Sequence, residues 1–302
     1  MRHNYCSINS KDYIYKGLIL YNSLKKYDPD FHFFLIYLHD EVKYLLEKMR
    51  LEDLTLISIR DIENEDFELA DIRSANSRSD KEFIWTAKAS TLRYLLDSFP
   101  AIDHIIWLDG DTAFFSDPRP IFDEWSNYSI FLTEEKFNGK YEWLGRMNGF
   151  YNTGFMGFRR DRDALECLRW FREKLIEWCF DRHEEGLWSD QMYVNGWRSR
   201  FNNVGVARNL GINVTPFILY YLRTELGYSV NRKNDGIYIG DSRLILFHYY
   251  GFKYYNEREF DLCSYSTCFT DQDVRLIYLP YIHACNEVMD SIDCVYRGEN
   301  NG

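Results

Sequence analysis

Asp109 and Asp111 stand either side of Gly110, directly after the apolar run Ile105-Ile106-Trp107-Leu108. A buried strand of this kind delivers its last residues to the carboxyl edge of a sheet, where ligands of α/β proteins bind. Two carboxylates at that edge offer hard oxygen donors for Mg²⁺ or Mn²⁺, and such an ion neutralises a diphosphate. The glycine between them lets the backbone turn closely. The same spacing recurs at Asp28-Pro29-Asp30, Asp161-Arg162-Asp163 and Asp271-Gln272-Asp273. Those copies are expected to be solvated turns and helix surfaces, because only the copy at 109 follows an apolar strand and precedes Thr112-Ala-Phe-Phe-Ser-Asp-Pro118.

Other stretches repeat the pattern of an apolar run ending in a polar group. Leu244-Ile-Leu-Phe247 ends at His248, with Gly251 and Lys253 just beyond. In Tyr151-Asn152-Thr153-Gly154-Phe155, glycine permits a close backbone approach, and the asparagine offers both a donor and an acceptor to hydroxyls. A β-bulge is the alternative reading of that segment.

The elements that must position these residues alternate in type. Residues 3 to 8 read as a strand, 11 to 27 as a helix ended by Asp28-Pro29, 31 to 38 as a strand, 40 to 50 as a helix and 54 to 59 as a strand. Residues 61 to 82 are polar and read as a loop or mobile helix, 83 to 98 as a helix, and 161 to 180 as an amphipathic helix. Strands alternating with helices predict a mostly parallel sheet with helices on both faces. In the tail, a mixed run covers 274 to 279 and a helix is expected around 281 to 292.

Composition narrows the function. A chain of 302 residues can bury about 75% of its unfolded surface without staples. With 36 basic against 47 acidic side chains and a net charge of −11, a nucleic-acid partner is excluded, since that binding rests on displaced counterions. No apolar run approaches the roughly 18 residues of a membrane span, and no secretory h-region follows Met1, so a cytoplasmic protein is expected. Cys6, Cys167, Cys179, Cys263, Cys268, Cys285 and Cys294 form no C-x-x-C pair and read as reduced thiols. Aromatic residues make up 18%, a content that serves packing or stacking on bases and sugars alike.

The ordered series of motifs resembles GT-A glycosyltransferases, in particular glycosyltransferase family 8, the glycogenin-like retaining enzymes, and related nucleotide-diphospho-sugar transferases. The resemblance spans residues 3 to 255, with 1 to 115 as a nucleotide-binding half, 116 to 255 as a donor-sugar and acceptor half, and 256 to 302 as an extension packed on the same domain. Tyr5-Cys-Ser-Ile-Asn-Ser-Lys-Asp-Tyr13 looks like the family's first strand and nucleotide-facing loop. By that match Ser7 and Asn9 bond the base or ribose and Tyr13 stacks on the base. Trp85-Thr-Ala-Lys-Ala-Ser90 is similar to a W-T-L-K-P-S pattern, with Ala89 for the proline, and implies Lys88 and Arg93 against the diphosphate or donor sugar.

Tyr151 to Phe158 matches the N-x-G segment that approaches the sugar, bringing in Asn152 and Gly154. Leu187-Trp-Ser-Asp-Gln-Met-Tyr-Val-Asn195 resembles the D-Q-x-x-x-N signature, which implies Asp190 on donor-sugar hydroxyls and Gln191 at the reactive face of the anomeric carbon. His248-x-x-Gly251 matches the segment supplying a third ligand, so that Asp109, Asp111 and His248 would hold Mn²⁺ in preference to Mg²⁺. Lys253 follows the histidine by five residues where the family has six, and Pro-Trp is missing after it.

The resemblance implies transfer of a sugar from a nucleotide-diphosphate sugar, with UDP the expected nucleotide, to a glycan, glycolipid or protein hydroxyl, with retention. Peripheral membrane association remains open. An inverting transferase with Asp190 as base, a sugar-nucleotide pyrophosphorylase and a non-catalytic carbohydrate-binding protein are the alternatives. The pyrophosphorylase needs a glycine-rich loop after the first strand, and Ser7 to Tyr13 contains no glycine.

Overall fold

The computed structural model describes residues 2–264 and 269–297. The expected tail segment from 261 to 268 is therefore described only to Ser264, and Cys268 lies outside the described residues.

The central sheet holds seven strands: β1 (His3–Asn9), β2 (Phe31–Tyr37), β3 (Leu54–Ser58), β4 (His104–Leu108), β6 (Ile130–Glu134), β7 (Tyr151–Arg159) and β8 (Val204–Val206). A short strand, β5 (Thr112–Phe114), lies between β4 and β6 in the chain. The spatial order is β3-β2-β1-β4-β7-β6-β8, and β7 alone runs against its neighbours. The mostly parallel, helix-flanked α/β sheet expected from the alternating pattern is thus the one observed.

Both faces of the sheet are buried, which is why its strands read as continuous apolar runs. Side chains of a strand point alternately to opposite faces, so Phe33, Leu35, Ile106 and Leu108 enter one core while Phe34, Ile36, Ile105 and Trp107 enter the other. Each fully buried side chain of this size contributes about 1.5–3 kcal/mol. A one-residue slip of β4 would exchange its two sets between the cores.

Helices α1 (Ile14–Tyr27), α2 (Asp40–Met49), α3 (Ile59–Glu65), α4 (Phe67–Ser74), α5 (Asp80–Ser98), α6 (Arg119–Trp125), α7 (Glu142–Asn148) and α8 (Arg162–Glu177) fill the connections. The polar stretch 61 to 82, expected as a loop or mobile helix, contains most of α3, all of α4 and the first turn of α5. Local capping explains it: Ser58 with Asp61 and Ser79 with Glu82 form reciprocal capping boxes, and the Asp66 carboxylate accepts from Leu69 N–H. Asp66 is anchored in turn by Arg172 of α8 and by Ser90 Oγ, 2.6 Å away.

The chain continues through α9 (Trp197–Arg200), α10 (Pro216–Leu226), the small sheet of β9 (Val230–Lys233), β10 (Gly236–Ile239) and β11 (Ser242–Arg243), then β12 (Leu246–His248) and the hairpin β13 (Lys253–Asn256) and β14 (Glu259–Asp261). A short helix, α11 (Asp271–Asp273), precedes a π-helical turn (Val274–Tyr278) and α12 (Leu279–Arg297). The tail joins the same core as α1: Tyr281, Ile282 and Cys285 cluster with Leu18 and Leu20, and Tyr281 stacks on Tyr249 at 3.6 Å.

Two of the spare Asp-x-Asp copies differ from expectation. Asp28 is buried and accepts from Tyr5 Oη at 2.7 Å and His3 Nδ1 at 2.9 Å, while Asp273 is buried against Arg223. Both carboxylates are structural because local donors meet them. Among the described residues no helix is long and apolar enough to cross a membrane. Cys6, Cys167, Cys179 and Cys285 are buried free thiols, Cys294 is an exposed one, and Cys263 is buried.

Candidate active site

The feature that assembles the site is a short ladder outside the main sheet. β12 pairs antiparallel with β5, placing His248 opposite Thr112, and Tyr249 N–H donates to Asp111 O at 2.8 Å. A histidine 137 residues from the acidic pair is thereby brought within 3.1 Å, Nε2 to Asp111 Oδ1. One ligating atom from each of Asp109, Asp111 and His248 lies within 4.8 Å of the others. Donors bound to one ion at about 2.1 Å lie at most about 4.2 Å apart, so adjustments of a few tenths of an ångström close the set on a divalent cation. Two hard carboxylates and one imidazole can hold such an ion.

Each carboxylate is held from behind. Trp107 Nε1–H donates to Asp109 Oδ1 at 2.8 Å, and Lys88 Nζ lies 3.2 Å from the same oxygen. Lys88 is fully buried on α5, 2.7 Å from Asp190 Oδ2 and donating to Thr153 O at 3.1 Å. Burial works against its charge, yet Asp109 and then Asp190 outweigh burial and hold the ammonium above the ordinary lysine range. Asp111 has Lys16 Nζ at 3.7 Å, and that buried lysine also donates to Phe252 O at 3.1 Å. Desolvation would raise Asp111, but His248 and then Lys16 prevail and keep it well below the usual carboxylate range.

These groups open onto a cleft of about 460 Å³, a size suited to a small ligand. Ser7, Asn9, Tyr13, Asp109, Asp111, His248, Gly251 and Lys253 line it together. The Ser7 hydroxyl and both polar atoms of the Asn9 carboxamide are buried without a partner, a costly state that a ligand would relieve. Gly17 and Gly110 make room for Asn9, since a Cβ would meet its Oδ1 at 2.4 and 3.0 Å respectively. Tyr13 is half exposed at the mouth, with Lys16 Nζ 4.8 Å from its ring centre. Trp85 and Trp188 add an aromatic wall, 6.2 Å apart.

Other expected residues sit elsewhere. Arg93 points into a separate depression beside Asp66 and Arg172 and pairs with Asp97, because the helical turn from Lys88 carries it to another face of α5. Lys88 lies behind the carboxylates rather than in the cleft lining, so its contact is with Asp109 and Asp190 instead of a phosphate. Asp190 is buried with Oδ1 accepting from Thr153 Oγ1 at 3.1 Å and Oδ2 against Lys88. Gln191 opens a 3-10 turn (Gln191–Gly196), half-buried and packed beside Gly149. Asn152 spends its carboxamide on Glu135, Gly154 and His248, and the space a Cβ at Gly154 would enter belongs to His248.

Lys16, Trp107 and Glu135 escaped the sequence reading. Glu135 had a weak signal, for it stands three residues beyond the apolar run Ile130-Phe131-Leu132. Lys16 is three residues past Tyr13, hence on the same face of the first helical turn. Nothing local distinguishes Trp107 from any other core tryptophan.

No family model matches the chain. Two relatives from Bacillus subtilis (strain 168), the uncharacterized proteins YfnD and YfnF, are 27% and 28% identical over 97% and 94% of this chain, covering 92% and 90% of their own lengths. Among solved structures, the galactosyltransferase LgtC in complex with donor and acceptor sugar analogs aligns over 82% of this chain and 86% of its own, at 15% identity and a TM-score of 0.55. Mouse xyloside xylosyltransferase 1 in its apo form aligns over 82% of this chain and 97% of its own, at 12% identity and a TM-score of 0.51. Sheet order, flanking helices and C-terminal helix together make this the mixed α/β architecture of the GT-A glycosyltransferases.

Proposed function

We propose that the chain is a metal-dependent glycosyltransferase that moves a sugar from a nucleotide-diphosphate donor, preferably a UDP-sugar, to a hydroxyl of a glycan, lipid or protein, with retention of configuration. The observation that carries this reading is the convergence of Asp109, Asp111 and His248 within 4.8 Å at the wall of a cleft with unpartnered Ser7 and Asn9. Mn²⁺ suits the mixed oxygen and nitrogen donor set, with Mg²⁺ as the substitute. When bound, the ion supplies the positive charge that a departing diphosphate requires.

The protein's own groups do the rest. Ser7 and Asn9 offer donors and acceptors to base and ribose, and Tyr13 offers its face to the base. Trp107 and Lys88 both engage Asp109 Oδ1 and so leave Oδ2 available for ligation. Lys253 at the rim and Lys16 at the wall place positive charge where the leaving group's charge develops, stabilisation that grows toward the transition state. Gln191 is assigned to the reactive face of the anomeric carbon by the resemblance.

The surroundings of Asp190 support retention. Both its oxygens engage Lys88 and Thr153, a setting that disfavours it as the base an inverting reaction would need. The acceptor hydroxyl then enters on the leaving group's side, its oxygen bonds the anomeric carbon as the bond to phosphate breaks, and the departing phosphate oxygen takes the proton.

The test is thermal unfolding with UDP, GDP and CDP, with and without MnCl₂, followed by a nucleotide-sugar panel scored for hydrolysis. Stabilisation that requires nucleotide and metal together, and disappears in Asp111→Ala, is the expected result. Equal melting with every nucleotide in the presence of Mn²⁺ would reject the proposal.

A further inference from the structure

His248 is the one imidazole of the candidate metal cluster, and an imidazole ligates through whichever ring nitrogen lacks a proton. Its Nδ1 faces Asn152 Oδ1 at 3.2 Å and its Nε2 faces Asp111. The orientation of the Asn152 carboxamide is settled by a neighbour of fixed polarity. Gly154 N–H can only donate, and it meets Oδ1 at 2.9 Å. Glu135 presents a carboxyl oxygen to Nδ2 at 2.9 Å, and Glu135 is itself anchored by the Thr215 hydroxyl on its other oxygen. Asn213 Nδ2 donates to the same Oδ1 at 3.1 Å. Glu135, Asn152, Asn213 and Thr215 are all buried, so water does not compete for these bonds.

A carboxamide oxygen accepts and cannot donate, so the ring nitrogen facing it must carry a proton. The Asp111 carboxylate accepts at Nε2 by the same rule, so a cation that takes Nε2 displaces that proton while the one on Nδ1 stays with Asn152. We infer that Asn152, held in register by Glu135, is a positioning residue that keeps the proton on His248 Nδ1 and thereby leaves Nε2 as the nitrogen aimed at the cation site. The inference rests on the proposed metal site and adds residues to it. It also gives Asn152 a task other than contact with the sugar. Gly154 belongs to the same device: a Cβ there would lie 2.7 Å from His248 Nδ1 and 2.9 Å from Asn152 Oδ1, wedging the pair apart. Outer partners of metal ligands carry about 10–100-fold of metal affinity.

Two variants and two measurements test it. Asn152→Leu keeps the side-chain size and removes the acceptor. The exchange Asn152→Asp with Glu135→Gln swaps amide for carboxylate at constant charge and volume, keeping an acceptor at 152 and a donor beside it. ¹⁵N-histidine NMR of the protein loaded with diamagnetic Mg²⁺ reads which ring nitrogen of His248 keeps its proton, with the signal assigned by its loss in His248→Gln. Mn²⁺ titration followed by electron paramagnetic resonance reads affinity.

Wild type and the exchange variant should show a proton on Nδ1 and affinities within a few-fold of each other, whereas Asn152→Leu should lose the tautomer and about 10–100-fold in affinity. A wild-type His248 protonated on Nε2 overturns the inference, as does an Asn152→Leu protein with unchanged tautomer and affinity. Should wild type bind no Mn²⁺, the metal reading of the site fails and the inference falls with it, whereas Mn²⁺ bound equally well by wild type and Asn152→Leu overturns the inference alone. Should Asn152→Leu not fold, the wild-type tautomer and the exchange variant decide it.

Discussion

Adding one methyl group at Gly154 is the sharpest test of how the site is packed. A Cβ built there falls 2.3 Å from His248 Cε1 and 2.7 Å from Nδ1. Carbon atoms in contact sit about 3.5–4.0 Å apart, so the imidazole must move by roughly 1.2 Å or more. β7 is a central strand bonded on both sides, so the ring yields rather than the backbone. A ligand displaced by about 1 Å costs on the order of 100-fold in function, which is about 2.8 kcal/mol at 1.4 kcal/mol per tenfold. Gly154→Ala should therefore fold and melt cooperatively while losing about 100-fold in Mn²⁺-dependent UDP binding, measured by calorimetric titration. Gly196→Ala is the matched control, because a Cβ there meets nothing within 4 Å. Wild-type binding by Gly154→Ala would show that His248 is not held where the geometry puts it, and the argument for its ligand role would fall.

Removing the buried ammonium with Lys88→Met strands two carboxylates, Asp109 and Asp190, and should cost about 3–5 kcal/mol in urea unfolding; a loss below 1 kcal/mol would contradict the ion-pair account. Asp66 is pulled below its ordinary value although burial alone would raise it, because hydrogen bonds from Arg172, Ser90 and Leu69 N–H prevail. Its contribution is thus fully present above the unfolded carboxyl pKa of about 3.9 and is lost as pH falls through the lower folded value. Wild type should accordingly lose its stability advantage over Asp66→Asn on acidification, and a pH-independent difference would refute this. Arg93→Ala should leave stability within about 0.5 kcal/mol and UDP binding unchanged, since its partner is the exposed Asp97 in a different depression; a tenfold weaker Kd would return Arg93 to the donor site.

The legible part of the protein was written in short-range pattern. Apolar runs that alternate with helical stretches gave the sheet and its two cores, because burial on both faces imposes an apolar residue at nearly every position of β2 and β4. Asp109 and Asp111 stood out for the same reason, as charges that an apolar strand cannot contain. The 61 to 82 stretch reads as loop or helix alike because capping side chains and the Asp66–Arg172 pair support its helices, and a polar stretch shows weak periodicity of its own.

Sequence alone determined which residues have the chemistry to hold a cation and a diphosphate, since residue type fixes donor atoms and charge. It also determined that Asp109 and Asp111 share one edge, because both follow directly on the end of one strand. Only the tertiary structure decided what stands behind them. The pairing of β12 with β5 brings His248 to Asp111, α5 drives Lys88 between Asp109 and Asp190, and β7 places Asn152 between Glu135 and His248. These contacts join residues tens to more than a hundred positions apart, and no local periodicity records them. They exist because a buried charge or amide must find a partner wherever the packed chain supplies one.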